Sequence, residues 1–224
     1  MKRKEYNEIE KYMLYCCDES VHDAEHIYRV LYNAMDIAGT ETDVNTDVLI
    51  TACLLHDIAR ADERRDKSID HAVYGSEKAY NWLIENGFGK QFSESVRDCI
   101  KTHRYRGDNA PKSIEAKILY DSDKIDAAGY IGIARTLMYK GLTAQPLYTT
   151  ENGMIQDGSS NRNSFFGEYI FKLRNVYDRL FTDRAKAMTA EMKQEAEHFY
   201  NTLYSDVNKN HVNGLARINE ILKD

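Results

Sequence analysis

The stretch Val48-Leu-Ile-Thr-Ala-Cys-Leu-Leu-His-Asp-Ile-Ala59 is apolar on more than one helical face and carries two adjacent ionisable side chains near its end. A helix that is apolar all round is typical of the buried centre of an α-helical domain. The ionisable pair, His56 and Asp57, loses its hydration there. Each member therefore needs a partner, which is either a hydrogen-bond network or a metal ion. The stretch thus predicts a central buried helix that ends in a polar site.

Apolar residues recur with the 3.6-residue period of amphipathic helices on both sides of this stretch. The predicted helices, several of which end at a glycine, are 21–38, 48–59, 71–86, 92–105, 114–125, 131–139, 165–181, 183–204 and 212–222. The sequence shows no convincing run of alternating strand residues with a hairpin turn. We therefore expect an all-α fold in a single domain that spans residues 1–224.

A polar segment interrupts the helical pattern between residues 142 and 164. It is rich in Thr, Asn, Gly and Ser and contains Pro146. Long structureless loops in compact domains are usually functional or mobile, so this one is either a lid over a substrate or a surface excursion. We expect an insertion within the single domain, followed by C-terminal helices over residues 165–222.

The composition excludes several classes of protein. Hydrophobic residues make up 42% of the 224 residues and aromatic residues 11%, which is too much for a disordered chain. The net charge of −6 argues against general nucleic-acid binding, which needs a dominant basic face. No apolar run is long enough to span a membrane, and the charged N-terminus lacks the apolar stretch of a secretory signal.

The cysteines indicate a reducing compartment. None of the four forms a Cys-x-x-Cys pair, and the adjacent Cys16 and Cys17 have a poor geometry for an ordinary disulfide. Their apolar neighbours predict buried free thiols. We therefore expect a cytoplasmic protein.

Further ionisable residues lie on the predicted helices beside the His56-Asp57 pair. His26 is one of seven histidines and follows the start of a predicted helix. Three acids, Asp121, Asp123 and Asp126, fall among apolar neighbours, so at least one of them should face inward. The chain thus supplies a histidine, a His-Asp pair and an aspartate in order, each on a helix with apolar flanks.

These residues resemble the HD-domain superfamily of metal-dependent phosphohydrolases, in particular its small single-domain bacterial branch. The three segments that carry the resemblance are His26-Ile-Tyr-Arg-Val30, Leu54-Leu-His-Asp-Ile58 and Asp121-Ser-Asp-Lys-Ile-Asp126. The flanks Asp70-His-Ala-Val-Tyr-Gly-Ser76 and Ile100-Lys-Thr-His103 are similar to the segments between those motifs. The resemblance covers about residues 18–140 and implies an all-α metal-dependent hydrolase.

The resemblance implies four metal ligands, which are His26, His56, Asp57 and Asp123. Asp123 is chosen over Asp121 because the family's ligand precedes a basic residue and a hydrophobic one, here Lys124 and Ile125. Two nitrogens and two carboxylates suit Mn²⁺, Mg²⁺ or Fe²⁺ better than a structural zinc. One ion is favoured and two are compatible with the sequence.

Two more histidines and three basic residues accompany the implied ligands. Some HD-domain branches use histidines in the segments of His71 and His103 to hold a second metal. The two residues are alternatively donors to a substrate phosphate, or ordinary residues at helix ends. Arg29, Arg60 and Lys124 flank the implied ligands, and this position predicts that they supply positive charge to a phosphoryl group. Lys124 is part of the last matched motif, whereas the segment from Arg60 to Lys67 departs from the family pattern. Each of the three could equally form a salt bridge, as Arg29 is placed to do with Glu25.

The resemblance implies metal-assisted hydrolysis of a small phosphorylated metabolite, which we expect to be a nucleotide. Asp57 would orient a water or accept its proton, and Lys124 would stabilise charge on the phosphoryl oxygens. A non-catalytic nucleotide-binding regulatory module that retains the metal site is the main alternative. A third is a zinc-dependent peptidase, because His22-Asp-Ala-Glu25-His26 fits the inverted zinc-protease pattern. The oligomeric state stays open.

Overall fold

The computed structural model describes residues 1–17, 24–105 and 108–222. The helices within these ranges are α1 (Arg3–Cys16), α2 (Ala24–Ala38), α3 (Thr46–Leu55), α4 (Arg60–Arg65), α5 (His71–Glu85), α6 (Lys90–Thr102), α7 (Ile114–Ile125), α8 (Gly129–Leu142), α9 (Phe165–Phe171), a 3₁₀ helix (Leu173–Arg179) and α10 (Asp183–Ile221). The two strands described are β1 (Thr150–Glu151) and β2 (Met154–Ile155), which pair antiparallel. The prediction of an all-α fold is confirmed.

The chain divides into two compact units. The first comprises Met1–Asp126 and Leu180–Ala187, and the second comprises Ala127–Arg179 and Met188–Asp224. All the segments that carry the resemblance lie in the first unit.

Helix α3 forms the centre of the first unit, as its apolar sequence predicts. Leu49, Ala52 and Leu55 are fully buried, and α3 packs against α1, α2, α6 and α7. Burial on several sides stabilises the helix through apolar area that is removed from water rather than through one amphipathic face. The end of this helix is therefore held at the middle of the unit.

The α-helical hydrogen bonding of α3 gives way to tighter turns immediately after Leu55, whereas the sequence predicted that the helix continues to Ala59. The amide of Ile58 donates to the Leu55 carbonyl and that of Arg60 donates to the Asp57 carbonyl, each bond spanning three residues. Short turns of this kind end an α-helix and redirect the chain. They place His56 and Asp57 at the junction between α3 and α4, with both side chains buried.

Side-chain caps set where the neighbouring helices begin. Asp70 accepts hydrogen bonds from the amides of Ala72 and Val73, and thus fixes the first residue of α5. Ser113 accepts from the amide of Ala116 at the start of α7. Such caps satisfy amides that have no partner within the helix.

The second unit has a separate aromatic core. It includes Phe165, Phe166, Tyr169 and Tyr200, and the rings of Tyr169 and Tyr200 are stacked at 4.2 Å. The middle part of α10, which includes Ala196 and Tyr200, packs on this core. This contact supports one continuous helix, whereas the sequence predicted two separate helices over 183–204 and 212–222. Once a helix is nucleated by packing, each further residue adds a hydrogen bond at little cost.

The polar segment of residues 142–164 is attached to the second unit. It contains the β1–β2 hairpin, and the amides of Phe165 and Phe166 donate to the carbonyls of Pro146 and Leu147. The side chain of Ile155 is buried in the aromatic core. The hairpin was not expected from the sequence, and the proposed lid role of this segment stays a prediction.

No helix within the described ranges is both long enough and apolar enough to cross a lipid bilayer.

Asp121, on α7, is fully buried and has a structural role in the first unit. Its carboxylate accepts hydrogen bonds from the amides of Phe181 and Thr182 and from the Thr182 hydroxyl, at 2.7 to 3.1 Å. These bonds join α7 to the residues that precede α10. Burial raises the pKa of this carboxyl, although the bonds from Phe181 and Thr182 act in the opposite direction.

We predict that Asp121→Ala lowers the free energy of unfolding by about 3 kcal/mol, because a part-buried amide, a buried amide and a buried hydroxyl lose their acceptor. Urea denaturation followed by circular dichroism measures this loss. The matched control is Asp36→Ala, which removes a half-exposed carboxylate paired with Arg184 and should cost less than about 1 kcal/mol. Equal losses in the two variants would contradict the anchoring role of Asp121.

Candidate metal centre

Four histidines and two aspartates converge in the first unit, where the ends of several helices meet. His26 lies on α2 and Asp123 on α7, while His56 and Asp57 follow α3. His71 is the first residue of α5 and His103 follows the last residue of α6. All four imidazoles are at most 1% exposed. The structure thus brings together all four ligands that the resemblance implies, and adds His71 and His103 to them.

The first donor set consists of His26, His56 and Asp123. The Nε2 atoms of the two histidines lie 3.4 Å apart, and Oδ1 of Asp123 lies 3.6 Å from Nε2 of His26. Each of the three residues offers one donor atom, and these three atoms all lie within 4.8 Å of one another. This spacing is compatible with a single ion among the three atoms, given metal–ligand bonds of about 2.0–2.2 Å.

The second donor set consists of Asp57, His71 and His103. Oδ1 of Asp57 lies 3.5 Å from Nε2 of His71 and 3.5 Å from Nε2 of His103. The other oxygen, Oδ2, lies 3.6 Å from Nε2 of His26 and 3.7 Å from Nε2 of His56. The carboxylate of Asp57 therefore lies between the two sets and presents one oxygen to each.

Two of the imidazoles are oriented by backbone carbonyls within their own helix ends. Nδ1 of His56 lies 2.7 Å from the Cys53 carbonyl oxygen, and Nδ1 of His103 lies 2.6 Å from the Ile100 carbonyl oxygen. A carbonyl can only accept, so Nδ1 carries the proton in both rings. Each Nε2 atom then has a free lone pair directed into the centre.

Carboxylates orient the other two imidazoles in the same sense. Nδ1 of His26 lies 2.7 Å from Oδ2 of Asp126, and Nδ1 of His71 lies 3.0 Å from Oε2 of Glu63. An ionised carboxylate also only accepts, so the contact with Asp126 assigns the proton of His26 to Nδ1. At Nδ1 of His71 the contact with Glu63 is shorter than the one with Nη1 of Arg104, which lies 3.2 Å away, and it assigns the proton to Nδ1 there too. A histidine that binds a metal through one nitrogen typically donates from the other to such a partner.

The chemistry of the donors suits a divalent ion. The Nε2 atoms of His71 and His103 are buried and have no hydrogen-bond partner within the described part of the chain. Buried polar atoms without a partner are costly and call for an explanation such as an ion. The centre could therefore hold a metal. Imidazole nitrogens and carboxylate oxygens suit Fe²⁺, Mn²⁺ or Mg²⁺, in increasing order of preference for oxygen.

Burial and neighbouring charges set the protonation states of the donors. Burial lowers the pKa of His56 to about 3, and burial together with the Arg60 charge lowers that of His71 to about 4. Burial acts to raise the pKa of Asp123, but Lys124 and the surrounding histidines hold it well below its ordinary value. At neutral pH both histidines are neutral and the aspartate is ionised, which are the forms that bind metals.

Asp126 is a functional residue that the sequence analysis did not assign. It is almost fully buried, and Arg29 donates to its two oxygens at 2.5 and 3.2 Å while His26 donates to one of them. Asp126 lies three residues after Asp123, which places the two acids on neighbouring positions of one helical face. That spacing in the Asp-x-Asp-Lys-Ile-Asp motif is the signal that identifies it.

Glu63 plays the corresponding part for the second donor set. Its carboxylate accepts from Arg104 at 2.6 Å and from Arg60 at 3.3 Å, besides its contact with His71. Burial acts to raise the pKa of Glu63, but the contacts with His71 and Arg104 lower it to about 2. No sequence motif marks this residue, because His71 and Arg104 belong to other segments and the pair with Arg60 has the i,i+3 spacing of an ordinary helical ion pair.

The three basic residues that were predicted to bind phosphate each form an ion pair with a carboxylate in or beside the centre. Nζ of Lys124 lies 2.8 Å from Oδ2 of Asp123 and 4.9 Å from the centroid of the Tyr120 ring. Arg29 is held by Asp126, and Arg60 donates to Oδ1 of Asp57 at 2.9 Å. The contacts of Arg29, Arg60, His71 and His103 with a substrate stay predictions.

The peptidase alternative receives little support from the described residues. His22 lies outside them, and Glu25 is exposed at the start of α2 while His26 is buried. An inverted zinc-protease pattern would need the glutamate beside the metal as a general base.

The fold and the geometry of the donors agree with the comparisons to known proteins. Residues 23–128 match the family model of the HD domain, and the similar solved structures include HD-superfamily hydrolases, so the predicted resemblance to the HD-domain superfamily is confirmed. The matched range contains all six donor residues.

Individual relatives support the same assignment. The uncharacterized protein YpgQ of Bacillus subtilis is 29% identical over 194 residues, which cover 85% of this chain and 86% of YpgQ. The crystal structure of YpgQ in complex with ADP superposes with a TM-score of 0.70 at 26% identity, covering 90% of this chain and 97% of that one. An HD-superfamily hydrolase of Bacillus thuringiensis gives a TM-score of 0.70 at 26% identity, with coverage of 93% and 99%.

We predict that Asp126→Asn weakens the binding of Mn²⁺ by about 10- to 100-fold, because an amide no longer favours the Nδ1–H form of His26. The dissociation constant is measured by competition with a fluorescent chelator. Arg29→Gln is the matched control, since it removes the other partner of Asp126 and leaves the bond to His26 in place. The prediction is wrong if both variants bind Mn²⁺ as the wild type does.

Proposed function

We propose that this protein is a metal-dependent phosphohydrolase that acts on a small phosphorylated metabolite, most plainly a nucleotide. The observation that carries the proposal is the common orientation of four buried imidazoles, each with Nδ1 anchored and Nε2 directed toward the carboxylate of Asp57. Four imidazole nitrogens and two carboxylates buried together form a poor structural network but a good cation site.

The ligands in this proposal are His26, His56, Asp57 and Asp123, and His71 and His103 complete a second set of donors. One ion is sufficient for the proposed chemistry, and the geometry offers places for two. A bound divalent ion supplies Lewis acidity toward a phosphoryl oxygen and toward the attacking water. The identity of the ion is proposed only as Mn²⁺, Fe²⁺ or Mg²⁺.

Residues of the chain account for the remaining tasks. Asp57 is the carboxylate common to both donor sets, so we assign to it the orientation of the water and the acceptance of its proton. Lys124 contacts the outer oxygen of Asp123 and keeps 23% of its side chain exposed, so its ammonium can reach a phosphate oxygen of a bound substrate. A positive charge at that position stabilises the charge that develops on the phosphoryl group.

We propose a nucleotide as the substrate because a similar protein has been crystallised with one. YpgQ, which is similar over most of its length, was crystallised in complex with ADP. The bond proposed for cleavage is a monoester or a pyrophosphate bond.

The experiment that tests the proposal is a screen of nucleoside mono-, di- and triphosphates with Mn²⁺, Mg²⁺ or Fe²⁺, in which released phosphate and pyrophosphate are measured. We expect metal-dependent release by the wild type and none by His56→Ala, which should also lose bound metal. A protein that binds nucleotide and metal but releases neither product would instead be a regulatory binding module. Equal release by wild type and His56→Ala would contradict the proposed centre.

We predict that Lys124→Ala lowers kcat by about two orders of magnitude, with a smaller change in KM, because the charge that it meets grows in the transition state. Steady-state kinetics on the best substrate of the screen measures both constants, and metal analysis checks that the ion is retained. Lys117→Ala, which removes a lysine elsewhere on the same helix, is the control. A Lys124→Ala variant that keeps its metal and the wild-type kcat would exclude the catalytic role.

A further inference from the structure

The guanidinium group of Arg60 is bound to the carboxylate shared by the two donor sets. Its Nε atom donates to Oδ1 of Asp57 at 2.9 Å, and its Nη1 atom donates to Oε2 of Glu63 at 3.3 Å. The side chain is only 22% exposed, so solvent screens this charge less than it would on an open surface. Arg60 thus connects a donor of the second set with the carboxylate that orients His71.

The oxygen that Arg60 binds is the one that the second donor set would use. Oδ1 of Asp57 is the atom that lies 3.5 Å from Nε2 of both His71 and His103. An ion between these three atoms would share Oδ1 with a guanidinium hydrogen bond. It would also have a full positive charge as its immediate neighbour.

The first donor set differs in this respect. There the nearby cation is Lys124, which lies on Oδ2 of Asp123 at 2.8 Å, whereas Oδ1 is the atom that faces His26. The donor oxygen of the first set is therefore not the one held by the cation. Each set has two imidazole nitrogens and one carboxylate. In the second set the carboxylate oxygen that faces the histidines already accepts a hydrogen bond from Arg60, whereas in the first set the corresponding oxygen is not the one bound by Lys124.

We propose that Arg60 weakens ion binding at the second donor set, so that the protein binds one divalent ion tightly at His26, His56, Asp123 and Oδ2 of Asp57, and a second one with lower affinity. This inference rests on the metal centre of the proposed function. Its physical basis is the repulsion between a guanidinium and a divalent ion a few ångströms apart, together with competition for one carboxylate oxygen.

Occupancy of the second set then depends on the concentration of free ion over a range in which the first set is already saturated. Arg60 acts in this account as a group that sets metal stoichiometry.

The test is a Mn²⁺ titration of the metal-free full-length protein by calorimetry and by electron paramagnetic resonance, which reports magnetic coupling between two neighbouring Mn²⁺ ions. We expect the wild type to show one tight and one weak ion. In Arg60→Gln the weak constant should improve at least tenfold, and the coupled signal should appear at a lower Mn²⁺ concentration. Arg60→Lys keeps the charge and should keep the weak second constant.

Arg29→Gln is the matched control, because it removes an equal charge from a carboxylate that is not a donor of the second set. It should leave the second constant unchanged. The inference is overturned if the wild type binds two ions with equal affinity, or if Arg60→Gln leaves the second constant as it was. It is overturned as well if Arg60→Lys and Arg60→Gln tighten the second ion equally.

These outcomes are distinct from a failure of the proposed function. If the wild type and Arg60→Gln each bind a single ion that is lost in His56→Ala, the metal centre stands and the inference about Arg60 falls. If no variant binds Mn²⁺, the proposed centre itself is wrong. Thermal melts recorded by circular dichroism establish that each variant is folded, and Arg60→Lys tests the charge independently if Arg60→Gln does not fold.

Discussion

The burial of the Asp57 carboxylate among four imidazoles is the constraint on which the rest of the first unit depends. Such a charge loses most of its hydration, and only close cationic or hydrogen-bonding groups offset that loss. The oxygens of Asp57 face Nε2 atoms on both sides, and Arg60 bonds one of them. Neutral imidazoles with Nδ1–H do not offer a proton to these oxygens, so a divalent ion is the partner that the arrangement suits best.

The fold meets this constraint with helix ends rather than with helix faces. The tight turn after α3 holds His56 and Asp57, the Asp70 cap fixes the first residue of α5, and the last turn of α6 holds His103 through the carbonyl of Ile100. The ends of helices hold their side chains in defined directions, because the free amides and carbonyls there need defined hydrogen-bond partners. The apolar α3 carries the centre into the core, where exclusion of water strengthens every electrostatic contact.

Much of the fold and part of the centre were predictable from the sequence. The period of apolar residues predicted the all-α class and the bounds of α7, and the three motifs predicted that His26, His56, Asp57 and Asp123 belong together. The break of the helix after α3 was missed, because the apolar pattern continues through it while the turn depends on tertiary contacts. The role of Glu63 was missed for a similar reason, since His71 and Arg104 come from other segments and the spacing from Arg60 is that of an ordinary helical ion pair.

The most direct test of this account is the anomalous scattering of crystals grown with Mn²⁺, recorded on both sides of the manganese absorption edge. The account predicts a strong peak within bonding distance, about 2.0–2.3 Å, of Nε2 of His26 and His56 and of an Asp123 oxygen. It predicts a weaker peak, or one that requires more Mn²⁺, beside His71 and His103. A well-ordered crystal with no peak among these donors, or with Nε2 of His26 turned away toward a protein acceptor, would contradict the account.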